Sequence, residues 1–137
     1  MAVRTLPEIM EALAGTISVT TGIRCRQRPP RSVNPPESFP GSRQGKAETC
    51  DGEEIAGSRS VTIPVWTVVS ATDESQHQTI DQVIAGPQSI AAAVSAAPDL
   101  GLGEGVDAAV DGEWAEGEID VAGTTYWGVR IDVEVFY

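Results

Sequence analysis

The sequence predicts an α+β fold: a mainly antiparallel or mixed β-sheet with an N-terminal helix and a broken second helix packed on one face. Three observations carry that reading. Apolar residues recur with a helical period near the N-terminus. They alternate with mostly polar residues over 124–137. Between these ends the chain switches from one period to the other, around a long Pro/Gly-rich loop. At 137 residues, one domain over 1–137 is expected.

The first helix is expected over residues 6–16. Thr5 and Glu8 have the spacing of a capping box, in which the hydroxyl accepts from the Glu8 amide and the carboxylate reaches back. Pro7 falls in the first turn, where its missing N–H costs nothing. Leu6, Ile9, Met10, Leu13 and Ile17 share one helical face. Gly15 and the β-branched run Ile17, Val19, Thr20 and Thr21 weaken the far end.

A short strand is expected over residues 23–28. It sets Arg24, Arg26 and Arg28 on one face and Ile23, Cys25 and Gln27 on the other. Three cations in a row repel one another and call for solvent or an acidic partner. Residues 29–60 then break the pattern. Pro29, Pro30, Pro35, Pro36 and Pro40 crowd together, and Ile55 is the only branched aliphatic between Val33 and Val61. Such a segment is expected to be either disordered or functional.

Order returns over residues 60–70. Val61, Ile63, Val65 and Val69 fall on one strand face, Trp66 and Val68 on the other, so both faces are expected to be covered. Pro64 implies a bulge or an edge position. Asp73 followed by Gln76 signals a helix start, and a broken helix is expected over residues 74–97. Its second segment is expected to open at Pro87. Gly101, Gly103 and Gly105 form a loop. A weak strand over 106–114, a short one over 118–121, a turn at Ala122 and Gly123, and a long final strand over 124–137 complete the chain.

Composition excludes several functions. No run of 18 apolar residues occurs, which predicts a soluble or surface-bound protein with no membrane span. The N-terminus lacks the apolar run and cleavage site of a secretory signal, so Cys25 and Cys50 are expected as reduced thiols. Leu, Ile, Val and Phe make up about 23% of the chain, a lean core that suggests ordering by partners. The net charge of −11 opposes general nucleic-acid binding, which needs cations against phosphate. That charge is unevenly spread. Residues 1–46 carry a net +4 and residues 47–137 a net −15. A chain with oppositely charged ends suits head-to-tail pairing with copies of itself.

Specific chemistry finds little support. His77 is the only histidine, and nothing in its spacing to Cys25, Cys50 or Asp81 builds a nucleophile and base. One histidine and two distant cysteines do not make a zinc set. Asp107, Asp111, Glu113, Glu116, Glu118 and Asp120 lack the order of a calcium loop and read as solvated strand and turn residues. The glycines at 101, 103 and 105 follow a helix rather than a strand, and Glu104 would repel phosphate. No enzyme, no cofactor and no metal are therefore expected. The expected interface pairs Arg24, Arg26, Arg28, Arg31, Arg43 and Lys46 with acids of a neighbour, among them Asp111, Glu113, Glu116 and Glu118.

A series of short patterns runs in order along most of the chain. After the N-terminal helix and short strand come Ser32, Val33, Asn34 and the Pro35-Pro36 pair. Then come the strand from Ser60 to Val65, the helix with Asp73, Gln76, Asp81 and Ile84, and the end from Ser89 to Gly101. Last is Gly123 to Val129, opening the final strand. In this order and spacing the chain resembles the tail terminator proteins of long-tailed, siphovirus-type bacteriophages. It departs from their pattern at residues 37–59, which are charged and Gly/Ser-rich. The resemblance implies a structural virion protein, assembled in the host cytoplasm, that forms a hexameric ring. The ring would cap the tail tube, end tube polymerisation and join the tail to the head-tail connector. Its partners would be copies of itself, the tail-tube protein and the connector or completion protein, with DNA passing through unbound. The alternatives are another neck component, such as a head-completion protein, or a cytosolic small-molecule binding domain.

Overall fold

The computed structural model describes residues 4–45 and 59–137. Helix α1 (Leu6–Thr21) starts as its capping box dictates: the Thr5 hydroxyl accepts from the Glu8 amide, and the Thr5 amide donates to the Glu8 carboxylate, each at 3.4 Å. It runs five residues past the expected end at 16. The β-branched residues there each cost only a few tenths of a kcal/mol, about 0.5. Burial outweighs that cost, because Ile17 is fully enclosed while Val19, on the opposite side, is 86% exposed. The Thr21 hydroxyl donates to the Ile17 carbonyl at 2.7 Å. Gly22 ends the helix at φ 71°, a left-handed cap that suits a residue without Cβ.

The strand expected over 23–28 reduces to a single parallel bridge between Cys25 and Ser38. Ser38 N–H donates to the Arg24 carbonyl, and Arg26 N–H donates to the Ser38 carbonyl, both at 2.8 Å. Pro29 and Pro30 lack the N–H groups that would extend it. Within the stretch 29–60, read from sequence as a loop, lie two strands, β1 (Glu37–Pro40) and β2 (Gln44–Gly45). All four residues of β1 are buried. Polar pairing rather than an apolar pattern places them there. Glu37 takes the Arg26 guanidinium and the Asn34 amide, and the hydroxyls of Ser38 and Thr67 bond at 2.8 Å.

The central strand is β3 (Ser60–Val69). Helices α2 (Glu74–Ile84) and α3 (Ile90–Ala96) follow, then β4 (Asp107–Val121) and β5 (Thr124–Phe136). The strands form one antiparallel sheet in the order β1-β3-β5-β4, with β2 also pairing β3. Val61, Ile63, Val65 and Val69 of β3 lie beside Val129, Ile131, Val133 and Val135 of β5 on the inner face. That face packs with Ile9, Leu13 and Ile17 of α1, Ile80 and Val83 of α2, and Ile90 and Val94 of α3 in one core. The fold is α+β, with helices packed on the sheet. Gly128 lets β3 and β5 meet closely. A Cβ there would lie 2.9 Å from the Thr67 carbonyl oxygen.

Pro64 lies in the central strand rather than on an outer one, and it faces an irregularity of the kind expected: between β1 and β2 three residues, 41–43, stand opposite only Ile63 and Pro64. Its carbonyl accepts from Gly41 N–H at 2.7 Å, so its ring nitrogen faces the same side, in the gap between the partners of β1 and β2. No ladder donor is needed there. The helix expected over 74–97 is broken around Gly86 and Pro87, as read, into α2 and α3, but Pro87 does not open the second segment. Ser89 caps α3, its hydroxyl accepting from Ala92 N–H at 3.0 Å. The two short strands expected over 106–121 are one strand, interrupted by a register shift between Val110 and Trp114. Pairing to β5 carries β4 through residues 115–117, between the two expected strands. Ala122 and Gly123 then make the hairpin turn, both at positive φ. Among the described residues, no helix is long and apolar enough to cross a membrane.

Candidate functional site

The strand order separates the two kinds of charge. At one end of the sheet, residues 24–26 bond to the outer side of β1. Arg24 lies in that segment, Arg28 and Arg31 follow it, and Arg43 lies just beyond β1; all four are exposed. None of the four has an ion pair among the described residues. At the other end, among the described residues, β4 pairs with no strand but β5, and beyond Ala108, whose N–H donates to the Pro98 carbonyl at 2.7 Å, its second side carries no strand. Asp111, Glu113, Glu116 and Glu118 are exposed along it. The structure thus gathers Arg24, Arg28, Arg31 and Arg43 at one sheet edge and the predicted anions at the other, with no ion pair between these sets.

Arg26 behaves differently from its neighbours. Its Nε pairs with Glu37, whose side chain is 2% exposed. The carboxylate that satisfies this cation comes from the chain itself, so Arg26 holds the 24–26 segment against β1 rather than standing free for a neighbour. Lys46 and Cys50 lie outside the described residues.

A groove of about 650 Å³ opens on the basic edge. Leu6, Pro7, Met10 and Pro40 supply its apolar surface, and Arg28 and Arg43 line it as well. It forms because the start of α1 stands beside the end of β1, with the chain after Arg26 closing the third side. Sequence reading assigned Leu6 and Met10 to the helix's core face only. Met10 does reach the core, while Leu6 is partly buried and borders both.

The exposed aromatic side chains are a second feature that sequence reading passed over. Trp114 is 52% exposed and Phe136 40%. Trp114 directly follows Glu113 on β4, past the register shift. The available signal was a lone tryptophan in the acid-rich run from Asp111 to Glu118.

Other reactive groups lie elsewhere. Burial pushes the Cys25 thiol up to about 12, and the nearby Glu37 carboxylate adds to the effect. A nucleophile needs the opposite shift. The Cys25 thiol faces the Arg26 carbonyl at 3.7 Å. His77, on α2, stacks on Trp127 of β5 with ring centroids 6.1 Å apart. The Asp73 carboxylate accepts from the Ser75 side chain and amide as the cap of α2, which holds it below its ordinary range. Among the described residues, no three His, Cys, Asp or Glu side chains converge to hold a metal ion. The glycines at 101, 103 and 105 take positive φ in the turns that lead from α3 into β4.

A scan against protein-family models finds none that matches this chain, and a search of curated proteins finds no match either.

Proposed function

We propose that the protein is a structural virion component, a tail terminator whose copies close into a ring on the end of a phage tail tube. The single observation that supports this reading is the placement of opposite charge at opposite edges of one sheet. A surface and its complement on different sides of one subunit give a heterologous interface, and repeating that interface around an axis gives a ring. The net charge of −11 makes such a ring strongly acidic. DNA phosphates would find little to hold them, so the genome could pass through. Covering the last tube ring would stop polymerisation, and the opposite face of the ring would meet the connector.

Native mass spectrometry of the purified protein, alone and with the tail-tube protein, tests the reading. A hexamer is expected, formed either spontaneously or on meeting the tube protein. A monomer or dimer indifferent to the tube protein would overturn it.

A further inference from the structure

The two edges of the sheet differ in shape as well as charge. The basic edge carries a groove lined by Leu6, Met10 and Pro40 and by Arg28 and Arg43. The acidic edge carries Trp114, half exposed, with Glu113 before it and Glu116 after it. Two strands separate β1 from β4, so the edges stand roughly 14 Å apart at the usual spacing between strands. Both belong to the same rigid sheet. One chain therefore cannot bring its own Trp114 to its own groove.

We infer that Trp114 of one copy seats in the groove of the next, with Glu113 and Glu116 meeting Arg28 and Arg43. This rests on the ring reading above and supplies its interface. Each half lacks what the other provides. The groove is a concavity of mixed lining to which Leu6, Pro7, Met10 and Pro40 give apolar surface, and a volume of about 650 Å³ is within the range that accepts a large aromatic group. The cations at its sides have no ion pair among the described residues, and neither do Glu113 and Glu116. Tryptophan and arginine are among the residues enriched at interface hot spots. The occupant is a second copy because this chain carries the complementary element at its far edge. With one groove and one arm per copy, the contact runs in one direction only.

Two variants isolate the halves. Trp114→Ser removes the arm, and Arg28→Glu with Arg43→Glu reverses the groove. All three residues are exposed, so circular dichroism is expected to show an unchanged fold. Sedimentation velocity over a broad concentration range is expected to show self-association of the wild type, weakened about 30-fold or more in each variant. An equal mixture of the two variants gives the sharper reading. Each pair retains one good interface, from the arm of one chain to the groove of the other. The mixture is therefore expected to form a dimer and stop. Variants that assemble like the wild type would overturn the interface and leave the ring reading standing. Groove variants that lose only tube-protein binding would assign the groove to another partner and overturn it too. A wild type that stays monomeric alone would overturn this interface, and the tube-protein experiment would then decide the ring reading separately.

Discussion

Removing the Arg26 guanidinium would leave the Glu37 carboxylate charged, 2% exposed and without its cation. Breaking a buried pair in this way costs about 3–5 kcal/mol, because the remaining charge is uncompensated. Two features place Arg26→Ala at the lower end. Asn34 N–H still donates to the carboxylate at 3.1 Å, and the Arg26 side chain is itself 30% exposed, so water can enter where it stood. A loss of about 3 kcal/mol follows, roughly a 150-fold shift in the folding equilibrium. With a urea m-value of about 2 kcal/mol/M, the midpoint should fall by about 1.5 M. Glu37→Ala removes the acceptor from both donors and should cost about 2–3 kcal/mol. The double variant should lose far less than the sum, since neither charge is then stranded, giving a coupling of about 2 kcal/mol. Equilibrium urea unfolding of the four proteins measures all three quantities. A loss under about 1 kcal/mol for Arg26→Ala, or additive single losses, would refute the claim that this pair anchors the 24–26 segment to β1.

Three other outcomes are expected. Ile17→Ala should destabilise by about 2–5 kcal/mol in thermal or urea unfolding, while Val19→Ala should stay within about 0.5 kcal/mol, because only Ile17 faces the core. The Cys25 thiol, raised to about 12 in the fold against 9.0 in the free group, keeps its proton where the unfolded chain loses it. Stability should therefore be unaffected by this group below about pH 9 and fall above it, by at most about 1.4 kcal/mol per pH unit up to about pH 12. Cys25→Ser should flatten that decline in alkaline unfolding curves. Ala122 holds φ 51° in the hairpin turn, which costs an L-residue with a Cβ about 1 kcal/mol. Ala122→Asn, placing Asn before Gly123, should raise the unfolding midpoint, and a lowered midpoint would contradict the turn geometry.

What could be read from the sequence was what neighbours in the chain decide. The Thr5–Glu8 box, the Asp73 cap and the alternation of β5 each depend on residues a few positions apart, and the structure has them where local rules put them. What could not be read depends on distant partners. Glu37 looks like a surface acid in the sequence, yet it is buried because Arg26 and Asn34 close over it. Residues 115–117 fall between the two short strands expected there, yet β5 holds them in its ladder. The charged edges show the same division. Their residues were visible as two blocks of composition, but only the strand order reveals that they occupy opposite sides of one sheet. The groove and the exposed Trp114 depend on tertiary shape and left only faint traces.

Pro64 has a consequence during synthesis. β3 is the sheet's centre, and the strand that covers most of one side of it, β5, comes about 60 residues later in the chain. At roughly 5–20 residues per second, a ribosome takes about 3–12 s to deliver it. For that time the run from Val61 to Val69, rich in β-branched and aromatic residues, has no permanent partner on that side. The Pro64 ring nitrogen does not act on that side, because it faces β1 and β2; on their side it denies a foreign strand one of the bonds needed to zip along the run before they dock. The finished sheet loses nothing by this, since that nitrogen faces the gap between β1 and β2. The proline guards only the β1 and β2 side of the nascent strand, at a position where the native ladder needs no donor, while the side that awaits β5 keeps all its donors.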